Sequence, residues 1–213
     1  MQILLKKIVP TYFEEDKIIN SQIWAHEIVF TKGEHTHIIA ASGRGKTSLI
    51  HFIYGLRKDY DGIISYGNEN INSFSLEKFS VFRQKNISIV FQDLRLFSDQ
   101  TVMKNLELKW QLNPYHPKEK ITEMARRLGI ESKLNKLANT CSYGEQQRIA
   151  IIRSLLQPFD FLLLDEPFSH LDDNNREIAM ELIAEECRTR NASMIFADLK
   201  KRNFFSSQRI LQL

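Results

Sequence analysis

One stretch restricts the fold of this chain more than any other: Ala40-Ala-Ser-Gly-Arg-Gly-Lys-Thr-Ser48. The apolar run His35 to Ala41 leads into it as a strand. Lys46 to Tyr54 leaves it as a helix with Leu49, Ile50 and Ile53 inward and Gly55 as its stop. Strand, glycine loop and helix in that order build a cradle of backbone N–H groups at a positively polarised helix N-terminus. Side chains at positions 43 and 45 would keep an anion out of such a cradle. Lys46 can reach the outer oxygens of a phosphate chain, and the Thr47 hydroxyl can ligate a divalent cation. The chain uses only eight glycines in 213 residues, about half the usual share of roughly 7%. A Gly-x-Gly pair in this context is therefore placed rather than accidental. The motif opens with Ala40, which leaves every backbone donor available.

A strand that feeds a helix asks for a mostly parallel α/β sheet, and the rest of the chain supplies one. Gly62 to Tyr66, Ile87 to Phe91, Phe161 to Leu164, Ser193 to Ala197 and Gln208 to Leu213 read as strands. Met1 to Val9, closed by Pro10, joins Ile18 to Trp24 and Glu27 to Phe30 as further strands near the N-terminus. From about Asp93 to Thr140 the composition turns Lys-rich and helical. Pro117 opens a helix there whose face is Ile121, Met124, Ala125 and Leu128, and Gly129 ends it. Ser142 to Leu156 reads as another helix, and an acidic one surrounds Arg176 to Glu186. The pattern is an α/β core with a helical insertion.

Two further segments carry chemistry. Phe161-Leu-Leu-Leu-Asp165-Glu166-Pro167 is an apolar strand that ends in two carboxylates. Asp165 suits the shell of a divalent cation, and Glu166 suits the polarisation of a water. Ser142-Tyr-Gly-Glu145 satisfies a capping box, which explains Ser142 and Glu145. It leaves Gly144 unexplained, since glycine inside a helix costs about 1 kcal/mol relative to alanine. A bare helix N-terminus of this kind can meet a second phosphate group.

Other classes are excluded. No run of 18 apolar residues exists to cross a membrane, and a formal net charge of +3 predicts no nucleic-acid partner. Cys141 and Cys187 form no C-x-x-C, as expected of reduced thiols. Met1-Gln-Ile-Leu-Leu-Lys-Lys places its lysines after its apolar residues, the reverse of a signal peptide. His35 and His37 are expected to face solvent rather than a metal. Asn135-Lys-Leu-Ala138 lacks the aspartate that guanine recognition uses, and Lys200-Lys-Arg202 reads as a solvated turn.

In order and spacing, Ala40 to Ser48, Phe91-Gln92, Cys141 to Arg148, Phe161 to Pro167 and Ser169-His-Leu-Asp172 resemble the ATP-binding cassette ATPases. The likeness runs from about Ile3 to Leu213. Ile89 to Phe97 followed by Thr101 to Leu106 is similar to the bacterial lipoprotein-release, macrolide-export and cell-division branch. The resemblance implies an α/β P-loop fold with a mostly parallel core sheet, an N-terminal antiparallel β subdomain and an inserted helical subdomain. It makes 1–213 one nucleotide-binding domain, with core and β subdomain in 1–92 and 157–213. The helical subdomain with its signature helix falls in about 93–156.

The same resemblance implies ATP and Mg²⁺ as ligands. Ser42, Gly43, Arg44, Gly45, Lys46, Thr47 and Ser48 would surround the phosphates, and Thr47, Gln92 and Asp165 the Mg²⁺. Glu166 would be the general base, with Gln92 and Lys46 beside it in catalysis. Ser142, Gly144 and Glu145 would meet ATP held by the opposite protomer, and Tyr12 or Phe13 would stack on adenine. Two cassettes, as a homodimer or as this chain with a second cassette, would close on two ATP. A multi-span permease would hold the pair at the inner face of the cytoplasmic membrane, with Leu94 to Phe97 among its contacts, and no nucleic acid is involved.

Two departures from the family pattern bear on rate. The family's histidine after the next strand is replaced: Ser193-Met-Ile-Phe-Ala197-Asp198 contains none, and His170 is the last in the chain. Cys141 and Tyr143 stand where the signature usually has leucine and its first glycine. Loss of one transition-state donor costs about 2–4 kcal/mol, or roughly 10²- to 10³-fold in rate. The expectation is an ATP-hydrolysing subunit, with a slowly hydrolysing regulatory cassette as the alternative.

Overall fold

The computed structural model of the protein describes residues 1–201 and 207–213. Arg202, the last of the basic run at 200–202, lies outside them. Two sheets carry the architecture. β1 (Gln2–Pro10), β2 (Glu27–Thr31), β4 (Tyr60–Tyr66) and β5 (Glu69–Asn70) form an antiparallel sheet in the order β2-β1-β4-β5. β3 (Thr36–Ile39), β6 (Ile87–Val90), β7 (Phe161–Asp165), β8 (Ser193–Asp198) and β9 (Arg209–Gln212) form a parallel sheet in the order β6-β7-β8-β3-β9. Helix α1 (Lys46–Ile53) packs against β4 on one side and β7 and β8 on the other. Its Leu49, Ile50, Phe52 and Ile53 are fully buried.

The three strands β6, β7 and β8 are buried along their whole length, which is why they read as largely apolar runs, whereas β9 at the edge exposes Ile210 and Gln212. β7 lies between β6 and β8, every one of its residues buried. The ends of β3 and β7 flank β8, so the 40–45 loop and Asp165 emerge on the same edge, where open α/β sheets place their ligands.

The helical stretch contains α3 (Val102–Leu112), α4 (Glu119–Arg127) and α5 (Tyr143–Leu155), with α3 and α4 packed on α5. α4 buries Ile121, Met124 and Ala125, as its periodicity predicts. It ends at Gly129 (φ +66°), where Ile130 N–H reaches back to the Ala125 carbonyl at 2.8 Å. α6 (Asp173–Arg190) is longer than its acidic centre suggests: Asp172 caps its start and Asn191, at φ +49°, its end. α2 (Leu76–Lys85) buries only Phe79 and leaves Leu76 and Val81 exposed, so it has no clean apolar stripe to read.

Two sequence expectations are corrected. Ile18 to Trp24 is not a strand. The Ser21 hydroxyl accepts from the N–H groups of Ile23 (3.0 Å) and Trp24 (2.9 Å), which curls the chain and drives Trp24 into the core. Ile23 and Trp24 are anchors rather than one face of a strand, and Ile19 is exposed. His37 does not face solvent either. It lies within the doubly covered parallel sheet and stacks on Phe196 with ring centroids 4.7 Å apart. His35 is half-buried, its Nδ1 accepting from Met194 N–H at 3.1 Å.

Candidate functional site

The loop between β3 and α1 is shaped by two glycines in the left-handed region, Gly43 at φ +80° and Gly45 at φ +94°. A Cβ on Gly43 would meet nothing within 4 Å, because this is the open, concave side of the loop. A Cβ on Gly45 would come within 2.8 Å of Phe13 Cζ and 2.9 Å of Trp24 Cζ2. An aromatic pair thus presses the loop from beneath, and Trp24 Nε1 donates to the Arg44 carbonyl at 3.3 Å. Gly45 caps α1 without a side chain, and no acid stands in the first turn, so its leading N–H groups point out unneutralised.

A cleft of about 240 Å³ opens over this loop, lined by Tyr12, Phe13, Ser42, Gly43, Gly45, Lys46, Thr47, Ser48, Gln92 and Glu166. Lys46 is buried; its Nζ donates to the carbonyls of Ala40 (2.8 Å) and Ala41 (3.1 Å) and lies 3.3 Å from Glu166 Oε1. These are replaceable partners for a cation that a phosphate chain would attract more strongly. The Thr47 hydroxyl donates to Gln92 Oε1 at 2.9 Å. Glu166 itself sits at φ +47°, its N–H bonded to the Ala197 carbonyl at 3.0 Å. Tyr12 is exposed, its hydroxyl 2.6 Å from Ser48 Oγ, and the Arg57 guanidinium lies 5.0 Å over its ring.

Asp165 is fully buried, and among the described residues neither carboxylate oxygen has a partner at hydrogen-bond geometry. Burial pushes its pKa up to about 6, reinforced by Glu166 and opposed by the Thr47 hydroxyl and the Lys46 ammonium. An unpartnered buried carboxylate beside a threonine hydroxyl and a glutamine carbonyl fits a hard cation that takes oxygen ligands and completes its shell from phosphate. Among the described residues there is no cluster of three or more His, Cys, Asp or Glu suited to a metal.

The raised pKa has a consequence for stability. Asp165 keeps its proton to higher pH in the fold than in the unfolded chain, where it titrates near 3.8. Its ionisation therefore destabilises the fold from about pH 4 upward, in full above about pH 6. Asp165→Asn should stabilise the nucleotide-free protein at pH 8 by up to about 3 kcal/mol and leave it unchanged at pH 4. Thermal unfolding at both pH values checks this; an equal shift at both would place the effect in packing rather than charge.

Ser142, Gly144 and Glu145 do not line this cleft. They begin α5, where Ser142 N–H donates to Glu145 Oε2 (2.7 Å) and Glu145 N–H to Ser142 Oγ (3.3 Å). Gly144 has a reason within its own chain: a Cβ there would stand 2.9 Å from the His170 carbonyl oxygen. Gln147, in a polar run that the capping box does not explain, is fully buried and holds the loop after β7. Its Nε2 donates to the Glu166 carbonyl (3.3 Å) and Ser169 Oγ (3.2 Å), and its Oε1 accepts from His170 N–H (3.1 Å). Ala197 is fully buried and packs in the core between the sheets, so that strand presents no histidine to the cleft. His170 turns to its own chain, with Nδ1 2.8 Å from Ser169 Oγ.

A family described as "ABC transporter" matches residues 26–169. The chain is 34% identical over 167 residues to the lipoprotein-releasing system ATP-binding protein LolD of Buchnera aphidicola, covering 77% of this chain and 73% of that protein. It is 32% identical over 169 residues to the thiamine import ATP-binding protein ThiQ of Salmonella choleraesuis, covering 77% and 68%. Its fold matches the dimeric post-hydrolysis structure of the ATP-binding cassette MJ0796 bound to ADP and Pi. That match has a TM-score of 0.84 at 24% identity, over 99% of this chain and 94% of the other.

Proposed function

This chain belongs to the ABC transporter family, as an ATP-binding and ATP-hydrolysing cassette, and we propose that two such cassettes close on two Mg-ATP to drive a separate membrane subunit. The observation that carries the reading is the convergence of Lys46, Thr47, Gln92 and Glu166 on one cleft beside the unpartnered Asp165 carboxylate. The N–H groups of the 42–48 segment take the phosphates, and Lys46 leaves the Ala40 and Ala41 carbonyls for their outer oxygens. Tyr12 offers adenine an exposed ring, whereas Phe13, also on the cleft wall, is packed against Trp24 and Gly45. Thr47, Gln92 and Asp165 hold Mg²⁺, which neutralises charge on the phosphates when bound. Glu166, freed from Lys46 by the incoming phosphates, accepts a proton from the attacking water. Ser142 and Gly144, away from their own cleft, are presented at the N-terminus of α5 to the ATP of the facing cassette.

Among the described residues no helix is long and apolar enough to cross a membrane, and the proposed partner supplies the membrane-spanning part. A second cleft, of about 380 Å³ and bordered by Phe91, Phe97, Leu108 and Leu112, lies between α3 and the core and suits a docking segment of that subunit. The cassette then works at the cytoplasmic face. The relatives are named for different cargoes, lipoprotein in one and thiamine in another, while the residues of the cleft concern the nucleotide alone.

One observation favours slow turnover: the strand that brings the family's histidine to the γ-phosphate brings the buried methyl of Ala197 here. Single-turnover incubation of Mg-ATP with excess protein decides between the two readings. A working ATPase converts the bound nucleotide to ADP and phosphate at a rate that rises to saturation with protein concentration. A regulatory cassette returns intact ATP from a tight complex.

A further inference from the structure

Gln92 is exposed, in a loop, and asked to place a side-chain oxygen within a fraction of an ångström. Among the described residues two hydrogen bonds hold it. Its Oε1 accepts from Thr47, and its backbone carbonyl accepts from the Tyr143 hydroxyl at 3.2 Å. Tyr143 is the first residue of α5 and stands where the family's signature usually has glycine, so the second bond is a contact that a family-typical residue would not make. The tyrosine is itself aimed: its ring packs on the His170 ring at 4.2 Å between centroids, and His170 is fixed by Ser169 and Gln147. The far end of α5 grips the same loop, with Arg153 donating to the carbonyls of Leu94 and Arg95.

We propose that Tyr143 is a positioning residue for nucleotide hydrolysis: it braces the Gln92 backbone from the signature helix and so sets the Gln92 side chain against Thr47. The contacts form one continuous path. It runs from Thr47 through Gln92, Tyr143 and His170 to Gln147, and ends on the Glu166 carbonyl. Movement of the α5 N-terminus, the segment offered to the facing cassette, is thereby transmitted to a cation ligand and to the backbone of the base within the same chain. This rests on the assignment of Gln92 and Thr47 to Mg²⁺.

The test measures binding rather than turnover. The fluorescent analogue N-methylanthraniloyl-ATP is bound to the full chain, and Mg²⁺ is titrated for wild type, Tyr143→Phe, Gln92→Ala and the double variant. Phenylalanine keeps the ring against His170 and deletes only the hydroxyl. The expected result is a half-saturating Mg²⁺ concentration raised about 3- to 10-fold in Tyr143→Phe, the size of one neutral hydrogen bond. The double variant should go no further than Gln92→Ala alone. An unshifted Tyr143→Phe beside a shifted Gln92→Ala overturns the brace while leaving the nucleotide site intact, as does additivity in the double variant. An unshifted Gln92→Ala removes the cation assignment, and the brace falls with it.

Discussion

Lys46→Ala should lower the affinity for Mg-ATP by about 10²- to 10⁴-fold, the loss of two charge-assisted hydrogen bonds at roughly 1.5–3 kcal/mol each. The magnitude follows from where the ammonium sits. It is buried and already holds two carbonyls and a carboxylate, so its desolvation is complete before nucleotide arrives. A triphosphate has only to exchange weaker partners for stronger ones. The variant also leaves Glu166 without its cation, which adds repulsion between that carboxylate and the incoming phosphates. Calorimetric titration gives the number directly. Affinity within about tenfold of wild type would mean that the backbone cradle and α1 carry the phosphates without the lysine. Unfolding monitored in parallel separates that result from a collapsed loop, since the Ala40 and Ala41 carbonyls lose their donor.

What could be read in advance was whatever chemistry is local in the chain. The 40–48 loop and the Asp165-Glu166 pair are contiguous, and each needs only a strand and a turn to take effect. Their meeting across β3, β8 and β7 follows from parallel pairing. The capping box at Ser142 was equally legible, because both of its hydrogen bonds span three residues. Apolar content without context misled at Ile18 to Trp24, where a single serine hydroxyl outweighs strand propensity. The i, i+2 spacing of His35 and His37 misled as well, since the surroundings of His37 depend on which strands flank β3. Gln147 and Tyr143 were out of reach for a different reason. Their partners lie 19 to 51 positions away in sequence, and neither side chain has a type that announces the contact. Gly144 illustrates the limit well. Its cost was visible, but the carbonyl of His170 that demands it was not.

Glu166→Gln should slow hydrolysis by about 10²- to 10⁴-fold, the range of general-base catalysis, while leaving Mg-ATP bound. The amide keeps the shape of the side chain and its place at φ +47°, since both are set by backbone contacts to Ala197 and Gln147. It removes one negative charge 3.3 Å from Lys46, so the lysine is more available to phosphate and binding is held or tightened. If two cassettes close on two ATP, such a variant has no route out of the closed state. A species of twice the monomer mass should then appear in size-exclusion chromatography with Mg-ATP and vanish when nucleotide is removed. The chain's own departures sharpen the comparison. On the proposed reading, wild type, with Ala197 in place of the family's histidine, already lacks one donor to the γ-phosphate. A wild type that itself accumulates as the ATP-bound dimer, with single-turnover hydrolysis no faster than in Glu166→Gln, would show that Glu166 has no proton to take. A monomeric Glu166→Gln at high concentration would instead point to a different partner surface for Ser142 and Gly144.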